Sequence, residues 1–211
     1  SSGVHRTLAF SRYLPEHGWD VTVLSAHPRA YKNQRSENLQ LIPGHVRVAR
    51  AQAWDTVRHL AIGGQYPRFL ALPDRWQSWI AGGVLTGLRA IRHEGVTALF
   101  STYPIASAHA IGLILNRITR LPWVADFRDP MYQENYPPDP LVRRTYRWLE
   151  QKVFQYAARI LVTTPGTAEY YGRRYGDEAR QRIRVVPNGF DPEAFPADLP
   201  PPPESLPPAG A

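Results

Sequence analysis

The hydrophobic positions along the chain change their spacing in a regular way, from a period of about 3.6 residues to one of about 2 and back. Val4, Leu8 and Leu14 keep a helical register over 4–16, and His17-Gly18 supplies the stop. The β-branched run Val21-Thr22-Val23-Leu24-Ser25 follows at once as a strand, and 46–50 alternates apolar with polar as a second. Residues 52–75 hold Gly63-Gly64, Pro67 and Pro73 and read as irregular. A helix is predicted over 76–93, weakened by Gly82-Gly83 and Gly87. The rest reads as strand 98–101, helix 105–118, strand 123–126, helix 141–157, strand 159–163, helix 166–175 and strand 183–186. Short strands apolar on both faces, alternating with helices, predict an α/β fold: a doubly wound, Rossmann-like parallel sheet covered by helices on both faces.

Both ends of the pattern bear on organisation. Ser1-Ser2-Gly3 is a small-residue turn running straight into a helix, where this fold class places a central strand first. The first strand is therefore expected to be missing. From Leu199 the chain becomes proline-rich without core periodicity, the composition of a stiff extended linker. The expected division is one domain over 1–196 and a Pro-rich linker over 197–211, leading toward an absent second domain.

Composition narrows the function classes. At 43% hydrophobic and 20% charged the chain is globular, and its lack of cysteine excludes disulfides, thiolate metal sites and a Cys nucleophile. The formal charge of +7 is carried almost wholly by arginine, since Lys32 and Lys152 are the lysines, and it is scattered along the whole length. Its densest cluster, Arg143, Arg144, Arg147 and Lys152 among Tyr146, Trp148 and Phe154, reads as the two sides of one amphipathic helix. Nucleic acid is thus not expected as a partner, whereas phosphate-bearing lipids or substrates remain open. Glu150 and Glu169 are read as solvated helix positions. The longest apolar run, 105–115, is shorter than the roughly 20 residues a membrane-spanning helix needs. The opening Ser-Ser-Gly-Val-His-Arg lacks the pattern of a secretory leader. A cytoplasmic location is expected, at most peripheral to the inner face of a membrane.

Four constellations could carry chemistry. Ser2-Gly3 at a helix start lets backbone N–H groups approach an anion; the bland alternative is a helix start with Ser as its cap. Asp126-Phe-Arg128-Asp129 stands at the carboxyl end of a strand, where open α/β sheets bind ligands. Two carboxylates are too few for a hard cation, and Arg128 favours an anionic substrate, while a structural ion pair is the alternative. Tyr103 lies at the preceding strand end, and His109 stands alone on an otherwise apolar helix, a setting commoner for a core histidine than for a catalyst. Asn188, in Pro187-Asn188-Gly189-Phe190-Asp191, is locally a turn.

Together these segments resemble the N-terminal domain of family 4-like glycosyltransferases, enzymes of the two-domain GT-B fold. The resemblance is carried by Ser2-Gly3-Val4, by Arg12 through Leu24 with its Gly-Trp-Asp-Val-Thr-Val-Leu, by Leu72-Pro73-Asp74 with Trp76 and Trp79, and by Ser107-Ala-His109. Pro122-Trp-Val-Ala-Asp-Phe-Arg-Asp-Pro130 is its most specific part, and Val185-Val-Pro-Asn-Gly-Phe-Asp191 supports it. The resemblance implies transfer of a sugar from a nucleotide-sugar donor to a carbohydrate or lipid-linked acceptor, usually with retention at the anomeric carbon. It implies no bound metal and no cofactor beyond the nucleotide-sugar co-substrate. This chain would be the acceptor-side half, inactive alone, with peripheral membrane contact through its Arg and aromatic residues.

By the same resemblance, Ser2, Gly3, Tyr103 and Asn188 are the expected substrate-binding residues, and Asp126, Arg128, Asp129 and His109 the catalytic candidates. Two departures matter. Many members have two glycines in the first turn, where Ser2 replaces one. Several carry His where this chain has Arg128, and a guanidinium that stays charged clamps an anion rather than shuttling a proton. A nucleotide-sugar epimerase of the same fold, or a non-catalytic glycan- or phospholipid-binding domain, are the alternatives.

Overall fold

A computed structural model describes residues 2–31, 42–61 and 63–189. Its elements follow the predicted alternation: α1 (Ser2–Tyr13), β1 (Thr22–Ala26), β2 (Arg47–Ala51), a one-turn α2 (Thr56–His59), α3 (Trp79–Glu94), β3 (Leu99–Thr102) and α4 (Ala106–Thr119). Then come β4 (Trp123–Arg128), α5 (Pro140–Tyr156), β5 (Arg159–Val162), α6 (Pro165–Arg182) and β6 (Ile183–Val185). The later helices begin where the sequence caps them. The Asp139 carboxylate accepts from the Leu141 and Val142 N–H groups with Pro140 at the first helical position, and Thr164 accepts from Thr167 N–H ahead of Pro165. The proline-rich stretch read as a linker lies outside the described residues.

Every strand pairing is parallel, in two sheets ordered β1-β2 and β3-β4-β5-β6. Helix α3 packs on β1 and β2 and also on α4, so the two sheets lie under one helical layer. Among the described residues β1 and β3 are not paired with each other, and each keeps one edge without a ladder partner.

Successive side chains of a strand point to opposite faces, and this sorts the layers. Ser101 and Trp123 meet His109 of α4, and Phe127 meets Phe154 of α5 and Tyr171 of α6. At the alternate positions Phe100 meets Phe10 and Asp126 meets Arg6 of α1, with Thr102 bonded to Asp126 beside them. Helices thus cover both faces, as expected of a doubly wound sheet. The core lies mainly on the α4–α6 side, where Trp123, Phe127, Met131, Leu149, Val153, Ile160 and Tyr171 are buried. No helix among the described residues is long and apolar enough to cross a membrane.

The structure departs from the sequence expectations at several points. Strand β4 runs on to Arg128, and α6 continues to Arg182 through a break at Gly176, whose φ of 81° suits glycine. The reading of the basic and aromatic cluster as two sides of one amphipathic helix holds, with Trp148 exposed and Tyr146 and Phe154 buried. Glu150 is not a solvated position but fully buried. It completes the arc Tyr146, Leu149, Glu150, Val153, Phe154, spaced i, i+3, i+4, i+7, i+8, which faces the core. There its carboxylate accepts from Tyr175 Oη (2.8 Å), Tyr171 Oη (3.0 Å) and Arg174 Nη1 (3.3 Å). Burial raises the Glu150 carboxyl above the usual range, and these donors pull it part of the way back. Glu169 is exposed as expected and pairs with Arg173 one turn on.

The glycines that weakened the α3 prediction are where the helix is approached closely. A Cβ on Gly82 would stand 2.2 Å from the Gln52 carbonyl oxygen, whereas one on Gly87 would meet the tip of Leu115 at 2.7 Å. Backbone yields less readily than a side-chain tip. We expect Gly82→Ala to lose about 1–3 kcal/mol in urea unfolding despite alanine's better helix propensity, with Gly87→Ala losing less.

Candidate active site

The carboxyl ends of β3, β4 and β6 meet on the face covered by α1, and one buried ion pair organises them. Asp126 is fully buried and accepts Arg6 in a fork, Nε to Oδ2 and Nη2 to Oδ1, both at 2.9 Å. Thr102 Oγ1 donates to the same Oδ2 at 2.8 Å. The remaining Arg6 protons reach the end of β6: Nη2 to Val186 O (3.1 Å), and Nη1 to Pro187 O (3.2 Å) and Asn188 Oδ1 (3.3 Å). Arg6 also lies over the Phe10 ring, which packs on Phe100. One guanidinium therefore fastens α1 to the ends of β4 and β6, and Gly3 precedes it by less than a turn.

Arg128 ends β4 with a left-handed φ of 64°, where the register against β5 shifts. Such a backbone in a residue other than glycine needs its surroundings to hold it. Thr163 supplies this, its N–H (3.3 Å) and Oγ1 (2.9 Å) both donating to Arg128 O. The Arg128 guanidinium turns back to Tyr103 O at 3.4 Å. Tyr103 is itself buried edge-on against Tyr146, and burial is the main cause raising its phenol above the ordinary value, with Tyr146, Tyr136 and Asp129 adding to it. Asp129 and Asn188 are exposed at the rim.

The expected site residues thus separate into two sets. Asp126, Arg128, Tyr103, Asp129 and Asn188 stand at the carboxyl ends of β3, β4 and β6, and Ser2-Gly3 opens the helix that Arg6 fastens to Asp126 and Asn188. His109 is on the opposite face, fully buried, its Nδ1 bonded to Ser101 Oγ (2.7 Å) and its ring against Phe127 (4.8 Å between centroids). Its Nε2 has no hydrogen-bond partner, and burial pushes its pKa down to about 3, so it stays neutral. The structural role weighed for it is the one its packing shows. Asp74, quoted above only as part of a resemblance, caps α4: it accepts from Ser107 N–H (2.7 Å), Ser107 Oγ (2.8 Å) and Trp76 N–H (2.9 Å).

Arg6 escaped the sequence reading. The signal available was indirect: an aspartate inside a strand apolar on both faces demands a buried cation. With Arg6 in place, Asp126 is a charge-compensated anchor; Asp129 and Asn188 are exposed beside it, while Arg128 is buried and turned back to Tyr103 O. Among the described residues, no three His, Asp or Glu side chains converge as a metal-ligand set.

The chain matches the glycosyl transferase 4-like domain family over residues 3–189. Among curated protein sequences none matches. Among solved structures it resembles sucrose-phosphate synthase from Thermosynechococcus elongatus, with a TM-score of 0.58 and 19% identity over 89% of this chain and 42% of that one. It also resembles LpCGTa, solved with UDP, with a TM-score of 0.53 and 14% identity over 87% of this chain and 50% of the other. HepE of Anabaena, solved with UDP and glucose, gives 0.50 and 14% over 88% and 41%. The chain therefore spans half or less of the length of each of these structures.

Removing one partner from the buried fork strands the other. Arg6→Ala and Asp126→Ala are each expected to destabilise by about 3–5 kcal/mol, and the double variant by clearly less than their sum in a urea cycle. Because the folded pKa of His109 lies below its unfolded value of about 6.5, the unfolded state binds the extra proton. Its contribution to stability is complete above about pH 6.5 and falls away toward pH 3. The slope of stability against pH between 6.5 and 4.5 should flatten in His109→Gln.

Proposed function

The chain belongs to the glycosyl transferase 4-like domain family, and from that premise we propose that it is the acceptor-side half of a retaining, metal-independent glycosyltransferase. The donor is a nucleotide sugar and the acceptor a carbohydrate or a lipid-linked sugar, taken up in peripheral contact with the cytoplasmic face of a membrane. The observation that carries this reading is the Arg6 clamp, which fastens the first helix to the ends of β4 and β6 beside exposed Asp129 and Asn188.

In the reaction, the bond from the anomeric carbon to the diphosphate oxygen breaks, and the acceptor oxygen forms the new bond to that carbon on the same face. The C–O electron pair leaves with the diphosphate, whose departing oxygen gains negative charge and takes up the proton of the acceptor hydroxyl. The N–H groups at Gly3 and the Arg128 guanidinium stabilise that growing charge. Asp129, exposed and lacking an ion-pair partner among the described residues, orients the acceptor hydroxyl. Asn188 holds a sugar or phosphate oxygen at the end of β6. Tyr103 supports Arg128 through its carbonyl. Asp126 acts through Arg6 as a positioning residue, and His109 contributes packing behind β4. A second domain supplies most of the donor site, and one further parallel strand between β1 and β3 completes the sheet.

The test uses the full-length protein carrying this chain and a panel of nucleotide sugars, with calorimetry for binding and NMR for the product. We expect one donor class to bind, transfer only when an acceptor is present, retention of anomeric configuration, and no loss of activity in EDTA. Asp129→Asn should lower kcat/KM by about 10- to 100-fold without changing donor affinity. Failure to bind any nucleotide sugar, or conversion of donor without acceptor, overturns the reading.

A further inference from the structure

Beyond β4 the chain runs through Asp129 into a loop that ends at Asp139, the cap of α5. Between Pro130 and Pro138 its backbone bonds to itself at one place, Gln133 N–H to Tyr136 O (2.8 Å) and Tyr136 N–H to Gln133 O (3.2 Å). Residues 133–136 are exposed, whereas Met131 is fully buried and Tyr132 half-buried. Arg143 Nη1 fastens the far end at Pro137 O (3.1 Å). The near end, next to Asp129, is held by side chains of α6.

Tyr171 Oη accepts from Met131 N–H at 3.4 Å, Tyr170 Oη donates to Tyr132 O at 3.2 Å, and Arg174 Nη1 donates to the same oxygen at 3.0 Å. The Arg174 guanidinium also lies over the Tyr132 ring, 4.1 Å from its centroid. Two of these three holds end on Glu150, since Tyr171 Oη and Arg174 Nη1 both donate to its carboxylate. The Tyr132 N–H favours the charged form of that carboxylate as well.

Glu150 shares its helical arc with Leu149 and Val153, where an apolar side chain fills the core without taking a charge out of water. What the carboxylate adds is direction. It orients the Tyr171 hydroxyl and the Arg174 guanidinium, and through them the backbone two and three residues beyond Asp129. We propose that Glu150 and Arg174 are positioning residues for Asp129, fixing the loop through which this exposed carboxylate is presented at the rim. They act through Met131 and Tyr132. The inference rests on the role given above to Asp129 and names what holds that residue in place.

The experiment uses the full-length protein and two readouts, amide hydrogen exchange of 129–136 by mass spectrometry and the kinetics of sugar transfer. Glu150→Gln keeps the shape and removes the charge, and Arg174→Lys keeps the charge and removes the planar fork. In either, exchange over 129–136 should quicken by about tenfold or more. Both should lower kcat/KM for the acceptor by about tenfold with the donor KM unchanged. In an Asp129→Asn background the same changes should add little further loss, because the group they position no longer acts. Leu99→Ala, which truncates a buried side chain at the amino end of β3, should lower Tm and leave both readouts as they were. Unchanged exchange in a folded Glu150→Gln or Arg174→Lys protein overturns the proposal. So does a fully additive loss in the Asp129→Asn background, or an equal quickening in Leu99→Ala. If the unmodified protein transfers no sugar, the role of Asp129 falls with the reading above, and the exchange result alone decides whether the two residues hold the loop.

Discussion

A guanidinium and a carboxylate buried together, 120 residues apart in sequence, are the constraint on which the functional rim depends. Removing either charge from water is costly, and the forked geometry of Arg6 on Asp126, together with the further bonds each group makes, offsets that cost. Thr102 fills one further position on the carboxylate, and Val186, Pro187 and Asn188 take the outer face of the guanidinium. The pair joins one helix to the ends of two strands that are not neighbours in the sheet. The position of the α1 N-terminus relative to Arg128 and Asn188 follows from it.

On the opposite face the same strand is held by different physics. Phe127, Phe154, Tyr171 and Tyr175 form a continuous aromatic stack with centroid separations from 4.0 to 5.6 Å, behind which His109 is kept neutral. The polar ends of that stack converge on Glu150, so the hydroxyls of Tyr171 and Tyr175 are satisfied inside the core and not at its surface. This arrangement gives β4 a rigid backing, and the strained backbone at Arg128 leans on it.

The order of elements was readable because hydrophobic spacing is a local property. The strand read over 123–126 and the helix read over 141–157 lie within two residues of β4 and α5, and caps such as Asp139-Pro140 are local as well. Features that depend on distant partners were not readable. Arg6 looks like one more charge on an amphipathic helix until Asp126 is brought to it, and Glu150 looks solvated until Tyr171, Arg174 and Tyr175 fold over it. The Glu150 spacing did contain a warning, since it shares its helical arc with Leu149 and Val153. The extension of β4 to Arg128 was hidden for another reason. A left-handed residue at a register shift is set by the neighbouring strand, and nothing in the local sequence announces it. Of the candidate site, the strand-end motifs were legible as places, and their division between two faces of the sheet became visible only with the register known.

The alternation along β4 has a consequence for how the sheet finds its alignment. Residues only about 3.3 Å apart along the strand enter two incompatible surroundings, one aromatic and dry, the other ionic. A slip of one position would exchange Asp126 with Ala125 or Phe127. It would leave a bare carboxylate among Phe154 and Tyr171 and an unmatched Arg6 under a phenyl ring. Both errors cost several kcal/mol, on the order of a small domain's entire stability. Asp126 is in this sense a register key, whose charge rejects misaligned sheets before any substrate is met.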